Sequence, residues 1–362
     1  MANTRERRSG AERRTGNGSA ADVIASRDNR WLKEFRVALR GGVPTASGAV
    51  GVEGVRLVEE ALSSGCRVEA VLFGEAGERY RERLAPLVGR PTTGFPVLRT
   101  TDRLFESIAD TEHPQGVAAL VIPRAWTLEE VLERRVRAWR VASEENALEA
   151  PVATCESGAF TVKEQGEIRE ADFGIANAPL IVVLAGVQDP GNVGAILRTG
   201  AAFGATAAVT AATGQSGTAN PFAPKAVRAS AGAAFYLPIV SGTALGILLA
   251  QLKLRGIRTL ASCVEELTRP AAAEQTAGQA RPVEPPWDVD WCGAVAVLFG
   301  NEGSGLPEEV VRAADGRIHI PMAGPVESLN AAAAAAVVLY EAFRQRKKAV
   351  EGGPQEATKQ FR

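Results

Sequence analysis

The sequence predicts an α/β protein of two domains, and three observations carry that expectation. Its 362 residues, at about 150 residues per domain, give two domains with connecting material to spare. Continuous apolar runs of strand length recur, such as residues 68–73 (VEAVLF), 181–187 (IVVLAGV) and 294–299 (AVAVLF). The later two run into Gly-, Asn- and Pro-rich breakers and then into helix-period segments, the order that builds βα units on a mostly parallel sheet. Apolar residues make up 46% and charged residues 23% of the chain, a balance with which each domain can bury a core.

The same composition excludes several classes. With 41 Lys+Arg against 42 Asp+Glu the net charge is −1. The chain is therefore neither a polybasic coat for nucleic acid nor a highly charged disordered polymer, although local basic patches stay open. The histidines are His113 and His319, and the cysteines Cys66, Cys155, Cys263 and Cys292 form no C-x-x-C pair. Neither a zinc tetrahedron nor a disulfide framework is expected, so the metal expectation is none and a reducing cytosolic setting fits. No window reaches the length of about 18 apolar residues that spans a bilayer, and the polar, Arg-rich start lacks the apolar core of a signal peptide. The expectation is a cytoplasmic chain with no membrane partner.

Taken in order, residues 1–24 are polar and Arg-rich and read as a disordered tail. From Ser26, the basic residues Arg27, Arg30, Lys33, Arg36 and Arg40 recur every three or four positions, opposite Trp31, Leu32, Phe35 and Leu39. That spacing predicts an amphipathic helix with a basic face, read either as solvated surface or as a phosphate contact. A helix over 52–62, strands over 68–73, 97–98 and 117–122, and a helix over 104–108 complete a first α/β unit over 25–123. Residues 124–180 open with a helix-like WTLEEVLERRVRAW, then lose periodicity, and read as a linker with an insertion. The second domain spans 181–347, interrupted by a surface loop over about 268–286, and a polar tail occupies 348–362.

Three clusters in the second domain each follow a predicted strand or strand-like run. The first is Asp189-Pro190-Gly191-Asn192-Val193-Gly194 leading to Arg198 and Thr199. Ligands of doubly wound sheets sit beyond the carboxyl ends of strands, so this loop is a candidate site. It lacks the G-x-G-x-x-G fingerprint, which argues against a nucleotide-dependent oxidoreductase. The second is Leu298-Phe299-Gly300-Asn301-Glu302-Gly303, whose glycines permit close backbone approach to a flat ligand; alone it is also an ordinary strand-to-helix turn. The third is Ile320-Pro321-Met322 with Glu327-Ser328-Leu329-Asn330, in which Ser328 or Asn330 is placed to cap the following alanine-rich helix.

Together these clusters, with Pro224-Lys225-Ala226-Val227-Arg228 between the first two, resemble the SpoU/TrmH family of RNA 2'-O-ribose methyltransferases within the SPOUT class. Val52-Glu53-Gly54-Val55-Arg56 and Pro114-Gln115-Gly116-Val117 are similar to that family's N-terminal substrate-binding domain. The resemblance implies a SPOUT-type sheet with a C-terminal trefoil knot, preceded by a small α/β domain like a ribosomal RNA-binding protein. It also implies a homodimer, S-adenosyl-L-methionine as cofactor, and structured RNA as substrate, with ribosomal RNA favoured over tRNA. A non-catalytic RNA-binding assembly factor on the same fold is the alternative.

By position, the resemblance places the cofactor at Leu298, Phe299, Gly300, Asn301, Gly303, Ile320, Met322, Ser328 and Leu329, chiefly through main-chain groups. It places the chemistry at Arg198, Asn192, Glu302, Ser328 and Asn330. Arg198 is assigned to the ribose 2'-hydroxyl. Because a guanidinium stays protonated in almost any site, binding the target phosphate and stabilising the developing alkoxide is the role that chemistry favours. Glu302 is expected to anchor either the second turn or Arg198. With RNA as substrate, Arg27, Arg30, Lys33, Arg36, Arg56, Lys225 and Arg228 become candidate phosphate contacts. Ala185 stands where relatives often carry Asp, which predicts altered hydrogen bonding in the first loop.

Overall fold

The computed structural model describes residues 22–88, 94–133, 178–212, 217–263, 283–326 and 328–351. The chain forms two sheets. The first has the order β1-β4-β3-β5-β2, built from β1 (Asp22–Ile24), β2 (Val50–Glu53), β3 (Arg67–Phe73), β4 (Val97–Thr100) and β5 (Val117–Ile122). Strands β1, β4 and β3 run parallel, whereas β5 is antiparallel to both β3 and β2. Helix α1 (Arg30–Leu39) starts where the Asn29 side chain accepts from the Trp31 amide, and it buries Leu32, Phe35, Ala38 and Leu39. That is the face opposite its basic residues. Helix α2 (Val55–Ser63) buries Val55, Val58 and Ala61; α3 (Arg81–Val88) and α4 (Asp102–Glu106) complete the unit.

The second sheet is wholly parallel, in the order β10-β12-β9-β11-β6-β7-β8. Its strands are β6 (Leu180–Ala185), β7 (Ala207–Ala212), β8 (Ile239–Ala244), β9 (Arg258–Ser262), β10 (Val283–Glu284), β11 (Val295–Phe299) and β12 (Gly316–Ile318). A parallel sheet must be covered on both faces, and the period of two distributes its side chains accordingly. Val182, Leu184, Val297 and Phe299 pack with α6 (Pro190–Ala202) and α10 (Ala331–Glu351). Ile181, Val183, Ala296 and Leu298 pack with α8 (Leu245–Leu254) and α9 (Glu308–Ala313). Among the described residues no helix is long and apolar enough to cross a membrane, and no group of three His, Cys, Asp or Glu side chains is placed to hold a metal ion.

Several boundaries differ from the sequence expectation. Asp22–Ile24, assigned to a tail, is a strand: it pairs with β4, and the Thr100 hydroxyl donates to the Ile24 carbonyl. Val52 and Glu53 belong to β2, and Gly54 at φ +99° turns the chain into α2. The start of the supposed linker forms α5 (Leu128–Glu133), whose Val131 and Leu132 enter the core of the second domain. Val283–Glu284 of the supposed surface loop adds an edge strand beside β12. Helix α10 continues to Glu351, past the expected start of the tail at 348. The rest of the tails and both insertions lie outside the described residues.

Among the described residues, α7 (Pro224–Ala229) and the residues flanking it pack against the first domain. Val227 and Phe235 join the apolar cluster of the first domain. Around that contact, Arg228 pairs with Asp110 at 2.7 Å, the Tyr236 hydroxyl donates to Glu60 Oε2 at 2.6 Å, and the Cys66 thiol lies 3.9 Å from the Phe235 carbonyl. Helix α7 also packs against α6, so close that a Cβ on Gly194 would stand 2.2 Å from the Ala226 carbonyl oxygen.

Candidate functional site

Strands β6 and β11 are parallel neighbours, with Leu184 opposite Phe299. The loops that follow them therefore emerge side by side at the carboxyl edge of the sheet, next to the crossover in strand order where such sheets take ligands. The β6 loop turns at Gly186, φ +86°. Its polar groups are tied down by Thr218, whose hydroxyl donates to the Leu184 carbonyl at 2.7 Å and accepts from the Gly186 amide at 2.9 Å. Ala185 itself is fully buried in the apolar layer, so the loop is held by Thr218 and Asn301 with no carboxylate at that position.

The β11 loop is a tight turn closed by reciprocal backbone hydrogen bonds between Asn301 and Gly305, both at 3.0 Å. The Asn301 carboxamide accepts from the Gly303 and Ser304 amides at 2.8 and 3.0 Å and donates to the Gly186 carbonyl at 3.0 Å. One side chain thus shapes its own loop and fastens it to the neighbouring one. A Cβ on Gly300 would stand 2.4 Å from the Gly305 carbonyl carbon, so this position admits no side chain without opening the turn.

Asp189 caps α6 by accepting from the Gly191 amide at 2.9 Å, with Pro190 in the first turn, a combination that suits a helix start. The Glu302 carboxylate lies across that start. It accepts from the Gln188 and Asp189 amides at 3.2 and 3.3 Å and from Asn192 Nδ2 at 2.9 Å. Partial desolvation pushes the Glu302 carboxyl up, but the bonds from Asn192, its own amide and those of Gln188 and Asp189 together hold it below the ordinary carboxylate value. Asn192 Oδ1 in turn accepts from Asn330 Nδ2 at 3.0 Å, while Asn330 Oδ1 caps α10 by accepting from the Ala332 amide at 2.9 Å. Glu302, Asn192 and Asn330 form one chain of hydrogen bonds joining all three sequence clusters.

Not every residue expected at the site enters this network. Glu302 anchors the two loops, and no contact joins it to Arg198. Arg198 is exposed on α6 and has no polar partner among the described residues. Ser328 is exposed, and the helix cap left open between it and Asn330 is Asn330. Leu298 and Phe299 spend their side chains in the two core layers, leaving only main chain at the site. Ile320 packs partly on the core, Met322 is half-buried, and Leu329 stands 39% exposed beside them in sequence. Glu327 lies outside the described residues.

The basic candidates divide. Lys225 Nζ is 2.6 Å from Asp189 Oδ1. The bond from Lys225, then that from the Gly191 amide, holds the Asp189 carboxyl below its usual value. Arg228 is bound to Asp110, so Lys225 and Arg228, both candidate phosphate contacts, each lie against a carboxylate. Arg27, Arg30, Lys33 and Arg56 are exposed, and Arg36 is half-buried; among the described residues only Lys33 of these has a carboxylate partner, Asp28 at 3.5 Å. Asp189 and Asn301 were missed as structural residues, although an Asp directly before Pro-Gly at a helix start is a recognisable cap signal.

Comparison with known proteins bears on the same segments. The model of the SpoU rRNA methylase family matches residues 179–340, and that of the MRM3-like substrate binding domain matches residues 45–119. A 23S rRNA (guanosine-2'-O-)-methyltransferase, RlmB, of Xanthomonas campestris is 38% identical over 46% of this chain and 59% of its own. An uncharacterized tRNA/rRNA methyltransferase of Synechocystis is 36% identical over 47% of this chain and 55% of its own. The chain thus spans little more than half the length of these relatives. The 23S rRNA (guanosine(2553)-2'-O)-methyltransferase RlmP of Bacillus subtilis is 26% identical over 88% of this chain and 97% of its own. The fold is that of an AdoMet-bound rRNA methyltransferase from Sinorhizobium meliloti (TM-score 0.63, 23% identity, 90% of this chain and 98% of that one). It is also that of the SpoU methyltransferase AviRb from Streptomyces viridochromogenes (TM-score 0.61, 24% identity, 88% and 98%).

Proposed function

We propose that the chain, whose residues 179–340 match the model of the SpoU rRNA methylase family and whose residues 45–119 match that of an MRM3-like substrate binding domain, methylates a ribose 2'-hydroxyl of ribosomal RNA, in the cytoplasm, with S-adenosylmethionine as donor. The observation that carries this reading is the Glu302–Asn192–Asn330 chain of hydrogen bonds, which locks the loops after β6 and β11 to the start of α10. Relatives named for 23S rRNA support the choice of substrate.

The residues present fit the cofactor. The Gly300 turn admits no Cβ and therefore offers bare backbone to a flat base. Leu329 and Val326, 39% and 60% exposed, and half-buried Met322 are apolar groups at the same chain segment, in keeping with a site of mostly apolar lining and few polar contacts. Bound there, S-adenosylmethionine supplies a methyl group on a sulfonium, a leaving group that needs no further activation.

The protein's own work is alignment and one proton. Arg198, uncommitted to any carboxylate, binds the target phosphate and stabilises negative charge on the 2'-oxygen as it develops. Asn192, held by Glu302 from one side and Asn330 from the other, fixes the start of the helix that carries Arg198. Ser328 lies two residues before Asn330 and donates to the ribose. The resemblance of the three clusters to the family supports a C-terminal trefoil knot and a homodimer, for which α10 offers Val337 and Tyr340 at 40% and 52% exposure.

Single-turnover methylation of ribosomal RNA by Arg198→Ala and Arg198→Lys, alongside calorimetric titration of the cofactor, tests this reading. Loss of a charge-stabilising donor is expected to slow the Ala variant by about a hundredfold or more, with cofactor affinity retained and partial recovery in Lys. Absence of cofactor binding by the wild type, together with an unchanged 2'-O-methyl map of total RNA in a deletion strain, overturns it.

A further inference from the structure

A groove of about 780 Å³ opens on the first domain, walled by Trp31, Leu62, Val68 and Phe95 with Arg30 and Glu34 at its edge. It lies where β3 begins, at the opposite end of the sheet from Gly54 and Gln115, since Arg67 pairs with Ile122 while Phe73 pairs with Val117. Its apolar walls are all half-buried. The Arg30 guanidinium sits 4.6 Å from the Trp31 ring centroid, making a stacked pair whose outer surface is planar and cationic. The polar groups divide sharply. Glu69 is occupied, accepting from the Ser47 hydroxyl at 2.7 Å and from Arg67 at 3.3 Å. Glu34 makes no hydrogen bond or ion pair among the described residues, although it is half-buried in a lining that mixes Trp31 and Phe95 with Arg30 and Arg67.

We propose that this groove is a nucleobase subsite for an unpaired guanine of the substrate RNA, an inference that rests on the RNA-methylating function proposed above. Sequence-specific RNA contacts are made to unstacked bases, held on aromatic rings and guanidinium planes and read at their edges. Trp31 and Arg30 supply the stacking surface, and Phe95 lines the same groove. Glu34, acceptor-only when ionised, needs two adjacent donors. Among the four bases only guanine offers them on its Watson–Crick edge, at N1–H and the 2-amino group; uracil presents carbonyl oxygens on either side of its one donor. The groove volume lies within the range of about 300–1,000 Å³ for sites that take a small ligand. Arg36 follows along α1 and supplies positive charge for a flanking phosphate. Cys66, another wall residue, touches Phe235 of the second domain, so the groove borders the contact between the two domains.

Fluorescence anisotropy of the full chain with a labelled seven-nucleotide uridine oligoribonucleotide bearing guanosine, inosine or adenosine at its centre tests the subsite. The guanosine probe is expected to bind several-fold tighter than the inosine probe, which lacks only the 2-amino group. Trp31→Ala is expected to weaken all probes by about tenfold, the scale of one base–aromatic stack. Glu34→Ala, a change at a helix surface that leaves the fold intact, is expected to abolish the guanosine preference while retaining the weaker uridine binding. Equal binding of the three probes to the wild type, or a preference that survives Glu34→Ala, overturns the proposal. Calorimetric titration of S-adenosylmethionine on the same preparations separates the two readings. Cofactor binding without guanosine preference removes the subsite alone. Guanosine preference without cofactor binding removes the methyltransferase function and leaves the subsite standing.

Discussion

Asn330 donates to Asn192 across 138 residues of sequence, at 3.0 Å, and thereby joins the cap of α10 to the first turn of α6. Asn192 can serve both neighbours only because a carboxamide carries a donor and an acceptor: its nitrogen faces Glu302 and its oxygen faces Asn330. Asn192→Asp keeps the acceptor but sets two carboxylates against each other, which raises the pKa of one of them. Cofactor affinity of this variant is expected to fall at least tenfold at about pH 8 and to recover partly toward about pH 5, as the shared proton returns. Asn192→Ala, with no carboxylate to protonate, is expected to lose affinity without that recovery. Calorimetry at the two pH values distinguishes them.

Glu302 sets a pH limit on the same assembly. Its carboxyl is held below the ordinary value of 4.5 in the folded chain by the amide and Asn192 donors. A group with a depressed folded pKa contributes stability that is fully present above its unfolded value and is lost as pH falls through the folded one. The two loops are therefore expected to loosen in acid below about pH 4.5, and Glu302→Gln to remove that dependence at a cost of about 1 kcal/mol at neutral pH, the low end for a charge-assisted bond because the group is exposed. Denaturant titrations of both proteins from about pH 3 to 8 measure it.

How far the sequence reveals such features depends on whether their cause is local. Residues 181–185 are apolar at every position and are followed by Asp-Pro-Gly-Asn, so strand, turn and helix start are all written within a dozen residues. The candidate loops were legible for the same reason. Asp22–Ile24 is different: three residues at the end of a polar segment become a strand only because β4 and Thr100 receive them. Helix α5 is legible as a helix in the run WTLEEVLERRVRAW, but its place in the second core is not, because the cluster it joins resumes only at Ile181. The pairing of Lys225 with Asp189 likewise depends on α7 packing against α6, which no spacing in the chain announces.

That pairing changes what the basic residues are expected to do. A cation already held by a carboxylate releases few counterions on meeting a phosphate, whereas an unpaired one contributes close to a full unit to the salt dependence. Arg30→Ala and Arg56→Ala are each expected to reduce the slope of log K against log salt for RNA binding by about 0.7–0.9. Lys225→Ala is expected to leave the slope unchanged while lowering stability slightly. Filter binding across a salt series is the measurement, and a full-unit loss in Lys225→Ala would show that the ion pair opens to RNA.

At Gly300 the constraint is steric. The nearest atoms to an added Cβ are the Gly305 carbonyl carbon at 2.4 Å, its oxygen at 2.5 Å and the Leu306 nitrogen at 2.5 Å, all backbone and unable to swing aside. Gly300→Ala must therefore open the turn closed by Asn301 and Gly305. The expected result is about 1–3 kcal/mol of destabilisation, as for overpacking elsewhere, with cofactor binding lost before the fold is. Gly303→Ala, whose Cβ meets only the Asn301 side-chain oxygen at 3.6 Å, is the control expected to retain the fold.

The last prediction concerns α10. Its Val338, Leu339 and Ala342 are buried on the sheet, and Asn330 fixes its first turn at the site. The stripe facing away, Ala333, Val337, Tyr340 and Arg344, is exposed, with Tyr340 meeting Phe203 edge-on at a centroid distance of 5.6 Å. Exposed single apolar residues are ordinary, but a Val and a Tyr aligned one turn apart beside small side chains make a surface that a second α10 can approach closely. Val337→Asp combined with Tyr340→Asp is expected to convert the protein from dimer to monomer in light scattering. Because the same helix begins at Asn330, loss of the dimer is expected to lower cofactor affinity as well. A double variant that stays dimeric with unchanged affinity moves the interface elsewhere on the molecule.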